Sequence, residues 1–253
     1  MSTPRIPGRV FATGALALLG WSAASATVYD LVADWSDVNN PMGQWSLLKA
    51  HNTLFTVNQA DWLSNGTGLR AWADDPYPAA LHVPFWARID AARAGLMGDS
   101  PADSILMHGS DVNRTGTNYT AAVFTNPIAG TASVSGDAWM AAKSLPRGMN
   151  WQILKNGSLL TEGTVSHSDG YTSIAPMSLA AGTGGASALN FAVAVGDSIE
   201  LRMLPSYTSP DNGVPWIAGL HMTVDVTPVP EPASLVGLAA GALALRRRRR
   251  YDL

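Results

Sequence analysis

The sequence predicts an all-β protein, an antiparallel two-sheet β-sandwich and, within that class, a jelly roll. Three observations carry this. Short apolar/polar alternations recur from Thr27 to Thr227, with turn residues between them. Helical periodicity is scarce, and no repeated βαβ spacing calls for a parallel sheet. Only 14% of residues are charged, against roughly 25% in average soluble domains, while Gly alone contributes 24.

The elements follow in chain order. Residues 86–95 read as a short helix ending at Gly95. Residues 130–142 read as a strand with Ala132, Val134, Ala138 and Met140 on one side. Trp139 falls on the other side with Ser133, Ser135 and Asp137. It is therefore either exposed or shifted by a bulge at Gly136-Asp137. Asn156-Gly157 predicts a two-residue hairpin turn between residues 149–155 and 158–165. Residues 179–188, rich in Gly, Ala, Ser and Thr, read as a mobile loop. Leu189, Phe191, Val193 and Val195 share one parity, as do Ile199, Leu201 and Met203. Matching their faces predicts a hairpin with a three-residue loop at residues 196–198. Residues 214–226 predict a long strand with Trp216, Leu220, Met222, Val224 and Val226 inward and His221, Thr223 and Asp225 outward. Ile217 breaks that pattern, covering a patch under a loop or marking a bulge.

The chain divides into residues 1–26, 27–228 and 229–253. The first segment has Arg5 and Arg9, then an apolar run, then the small residues Ala24-Ser25-Ala26. That is the layout of a secretory signal peptide cleaved before Thr27. The last segment has Pro230-Glu231-Pro232, an uncharged stretch over residues 233–245, and Arg246, Arg247, Arg248, Arg249 and Arg250. Thirteen helical residues span about 20 Å, short of the ~30 Å hydrocarbon core, so this reads as a short transmembrane helix and a marginal anchor. The arginines hold their side cytoplasmic, which places the body outside.

Setting aside Arg5, Arg9 and the five tail arginines leaves nine basic residues of 16, and setting aside Asp252 leaves 18 acidic residues of 19. What remains carries about −9. Such a body repels nucleic acid and anionic lipid, tolerates neutral glycans and attracts divalent cations. The chain has no cysteine, which excludes disulfides, thiolate metal sites and Cys nucleophiles.

No catalytic motif stands out. Gly98-Asp99-Ser100 and Gly196-Asp197-Ser198 each resemble the GDS block of one lipase and esterase family, but no D-x-x-H follows the second, and both read better as turns. His108, Ser110 and Asp111 are triad residue types, yet triads assemble from distant segments. Candidate ligand-binding residues are Trp139, His221 and Asp225, an aromatic ring with polar neighbours. Candidate calcium ligands are Asp34, Asp37 and Asp211, oxygen donors near the first and last strands; turn formation by the same residues competes with that reading.

The last segment, in its order of Pro-Glu-Pro, short apolar stretch and arginine cluster, resembles the PEP-CTERM sorting signal. The resemblance implies an exosortase partner cutting near Pro230-Glu231-Pro232, transient residence in the inner membrane of an exopolysaccharide-making Gram-negative host, and a final place at the cell surface or outside. The body is similar to carbohydrate-binding modules through residues 105–109, the Asn156-Gly157 hairpin and residues 195–199. Expected functions are a non-enzymatic surface or matrix protein that binds polysaccharide, a secreted glycan or ester hydrolase, or a purely structural matrix protein.

Overall fold

The computed structural model describes residues 25–49, 53–75, 77, 84–109, 119–206 and 217–229. Along the chain lie β1 (Thr27–Asp30), β2 (Trp45–Lys49), β3 (Thr53–Leu54), β4 (Asn58–Gln59) and β5 (Ala71–Trp72). Then come β6 (Phe85–Ile89), β7 (Ser104–His108), β8 (Thr120–Thr125), β9 (Gly130–Met140) and β10 (Gly148–Lys155). The last five are β11 (Ser158–Ser166), β12 (Met177–Ser178), β13 (Asn190–Val193), β14 (Ser198–Pro205) and β15 (Ile217–Pro228).

These strands form two antiparallel sheets. The nine-stranded sheet runs β12-β9-β15-β7-β6-β5-β4, with β1 also on β15 and β13 also on β9. The six-stranded sheet runs β11-β10-β14-β8-β2-β3. The expected all-β sandwich is therefore present. Its main core fills the space between the sheets with Trp45, Phe124 and Trp151 from one side and Val134, Met140 and Leu220 from the other.

Several local expectations hold for the stated reasons. Asn156 and Gly157 take φ of 48° and 79°, as a two-residue turn requires, and join β10 to β11. The alternation in β15 buries Leu220, Met222, Val224 and Val226, while His221, Thr223 and Asp225 lie on the other face.

Four expectations are corrected. Residues 86–95 contain β6 and turns, not a helix; Phe85 and Trp86 point into different cores, so both faces are apolar and period two is hidden. The Gly196-Asp197 turn does not close a hairpin. β13 pairs with β9 in one sheet, and β14 pairs with β10 and β8 in the other. Strands in facing sheets satisfy the same inward parity as strands side by side, so face matching could not tell the two apart. Asn126 holds this crossing by donating to the carbonyls of Ala194 (2.7 Å) and Ile128 (2.6 Å).

Residues 179–188 are an edge cover rather than a mobile loop. Two 3-10 turns (Leu179–Ala181 and Ala186–Leu189) anchor Leu179 and Leu189 in the core. Between them Thr183 N–H donates to the Glu162 carbonyl (2.9 Å), and Gly184 N–H donates to Thr161 Oγ1 (3.0 Å), along the outer edge of β11. Covering an edge strand in this way blocks pairing with another chain. The small residues are needed for close approach: a Cβ on Gly182 would meet the Trp151 ring at 2.4 Å.

Trp139 is neither exposed nor shifted by a bulge. β9 and β15 stay in register from Ala218↔Met140 to Pro228↔Gly130. The ring keeps its outward parity and is fully buried, because a second core covers that face of the nine-stranded sheet. Trp62, Leu69, Phe85, Leu106 and Ile217 share it, which accounts for Ile217 as the residue under a covering segment.

Candidate functional site

The predicted residues Trp139, His221 and Asp225 do share the outer face of β9 and β15. Trp139 offers no stacking surface: its ring is covered and its Nε1 donates to the Asp99 carbonyl (2.8 Å). The His221 ring packs 5.2 Å from it between centroids. His221 is opposite Asp137 in register; Nδ1 meets Asp137 Oδ1 at 2.8 Å and Nε2 meets the Asp103 carbonyl at 3.1 Å. Both partners are acceptors, so both bonds form fully only when the imidazole is protonated. The hydrogen bond to Asp137 raises the His221 pKa above its ordinary value, against the opposing effect of burial. With both nitrogens engaged, His221 has no free base to activate a serine. Asp225 lies two strand residues beyond Thr223, opposite Ser133, and its Oδ1 is buried without a partner.

The other sequence candidates have local duties. Asp99 accepts from Ser173 N (2.7 Å) and Ser173 Oγ (2.5 Å). Asp197 accepts from Ala194 N (2.9 Å) and Asn156 Nδ2 (2.9 Å), and lies 3.2 Å from Lys155 Nζ. The Ala194 N–H, chiefly, holds its pKa down to about 2. Gly98 and Gly196 have φ of 83° and 86°, so both GDS stretches are turns. Asp34 accepts from the Trp45 indole (3.1 Å) and Asp37 from the Trp35 indole (2.9 Å). Among the described residues no three His, Asp or Glu side chains are grouped as metal ligands. Ser110, Asp111, Asp211, Ala24, Pro230, Glu231, Pro232 and Arg246 to Arg250 lie outside the described residues.

A polar surface that the sequence reading missed occupies the outer face of the six-stranded sheet. Glu162, Gln152 and Arg202 stand in one cross-strand row on β11, β10 and β14. Gln152 Nε2 donates to Glu162 Oε2 (2.9 Å). Arg202 donates through Nε and Nη2 to both oxygens of the nearly buried Glu200 (3.0 Å each). Its guanidinium stacks 4.2 Å over the Tyr119 ring. In the next row Thr164 Oγ1 donates to Asn150 Oδ1 (2.8 Å). The signal was present as the polar parity of Asn150 and Gln152, and of Glu200 and Arg202, opposite the core positions. A shallow depression of about 660 Å³ lies elsewhere, beside Asp99, Lys143 and Ile174; there Lys143 Nζ donates to the Tyr171 carbonyl (2.6 Å) and Asp99 accepts from Ser173.

Fold and surface thus define an all-β two-sheet sandwich protein with one polar sheet face. No known family model matches the chain, and no curated protein matches it.

Proposed function

We propose that this chain is an exported, non-enzymatic surface protein, sorted through its PEP-CTERM-like tail, whose sandwich binds neutral polysaccharide. The order Pro230-Glu231-Pro232, apolar stretch, arginine cluster is the observation that carries the sorting half of this reading. The binding half is supported by the Glu162, Gln152, Arg202 and Tyr119 surface. Sugar hydroxyls both donate and accept, and this surface presents amide, carboxylate and guanidinium groups side by side. Arg202 is already fixed against Glu200 and Tyr119, so little side-chain entropy is lost when it is contacted.

A glycan array with the chain from Thr27 onward, run with and without Ca²⁺, tests the binding half. Signal on neutral glycans that drops at least tenfold in Arg202→Ala and Gln152→Ala is expected; silence across the array rejects it. Mass spectrometry of the mature protein tests the sorting half, which an intact C-terminus ending in Tyr251-Asp252-Leu253 would overturn.

A further inference from the structure

Both ends of the body leave the sandwich at the same place. Thr27 is paired with Val226, and Pro228 with Gly130, while Val229 N–H donates to the Ala129 carbonyl (3.3 Å). Three turns sit together at this end: residues 126–129, 156–157 and 194–197. Gly196 N–H donates to the Asn126 carbonyl (2.8 Å), and Asn156 Nδ2 donates to Asp197. The turns and their borders expose apolar side chains, with Val195 68%, Val229 65% and Leu159 49% accessible. Their charged groups are Lys155 and Asp197, which neutralise each other. This rim of zero net charge contrasts with a body of about −9.

The chain length between the body and the apolar stretch is decisive. Three residues separate Val229 from Ala233, and the four steps between them span at most about 3.6 Å each in an extended chain, or ~14 Å in all. The headgroup layer on one side of a bilayer is roughly 5–8 Å thick. With residues 233–245 in hydrocarbon, the body has no room to stand clear of the surface. We propose that the end formed by these three turns is the membrane-facing end of the protein, resting Val195, Leu159 and Val229 in the headgroup layer of a bilayer. This rests on reading the tail as a membrane-inserted segment. The neutral rim permits the approach that the acidic remainder of the body would resist at an anionic surface.

The lack of cysteine makes single-site labelling clean. Val195→Cys, Leu159→Cys and Ile174→Cys would each carry an environment-sensitive fluorophore, as would Ala239→Cys in the tail. Ile174 is fully exposed at the opposite end, beyond Met140, about 35 Å away along the eleven residues of β9. The tail-bearing chain is reconstituted in phosphatidylcholine vesicles containing headgroup spin label. Quenching at Val195 and Leu159 several-fold above that at Ile174, together with quenching at Ala239, is the expected result. A quenched Ala239 with Val195 no different from Ile174 overturns the proposal and leaves the tail reading standing. An unquenched Ala239 overturns both.

Discussion

Two tryptophans face a glycine across an antiparallel pair, one on each side of the molecule. Trp151 lies opposite Gly163 and points into the main core. Trp139 lies opposite Gly219 and points into the second core, outside the nine-stranded sheet. In each case the ring lies flat on the glycine: a Cβ on Gly163 would meet Trp151 at 2.4 Å, and one on Gly219 would meet Trp139 at 2.3 Å. Both rings are fully buried. They differ at the nitrogen. Trp139 Nε1 has the Asp99 carbonyl, whereas Trp151 Nε1 has no partner. Strand parity sets the direction of a side chain, and the segments lying over that face set whether it meets water.

The largest test is truncation. Trp151→Ala and Trp139→Ala should each cost about 3–5 kcal/mol in urea unfolding, because both remove a fully buried ring. A cost near 1 kcal/mol for Trp139→Ala would mean that the second core is a loose cover rather than a packed one. Replacement by Phe separates the two nitrogens. Trp139→Phe strands the Asp99 carbonyl, while Trp151→Phe removes a buried N–H that was already unpaired. Trp139→Phe should therefore be the more damaging by about 1 kcal/mol. Equal costs would contradict the hydrogen-bond difference.

The smallest effect is a pH dependence confined to the Trp139 side. His221, beside that ring, has a raised folded-state pKa. Its contribution to stability is fully present below the unfolded value of about 6.5 and is lost as pH rises through the folded pKa. Unfolding measured from pH 5 to pH 9 should show wild type losing stability relative to His221→Gln on the alkaline side. Parallel curves would show that His221 is not held as an imidazolium.

Period-two alternation made β9 and β15 legible, since each has one face in the main core, while the Asn156-Gly157 turn marked β10 and β11. Alternation failed at β6, where Phe85 and Trp86 are buried on opposite faces and nothing alternates. It also could not assign β13 and β14 to separate sheets, because strands on both sides of one core share the same inward rule. Glycine-rich residues 179–188 looked loose by composition, yet Gly182 and Gly184 are small because backbone and Trp151 crowd them. Of the polar surface, Gln152 and Arg202 lay in strands that were read correctly at least in part. Their alignment in one row depends on the β10 and β14 pairing, which joins segments about fifty residues apart.

The position of β15 gives the fold a completeness check. It is the last strand in the chain, yet β9 pairs along it from Ala218 to Pro228, β7 holds Ile217 to Leu220 and β1 holds Thr223 to Val226. A chain that emerges from its N-terminus, as every chain does in synthesis, must deliver nearly all of its length before those three strands gain their common neighbour. Chains cut short before residue 217 would leave β1 without its partner and an edge of β9 and of β7 unpaired, which invites aggregation or proteolysis. Any product that carries β15 through Pro228 can close the sheet, and any product that stops before residue 217 cannot.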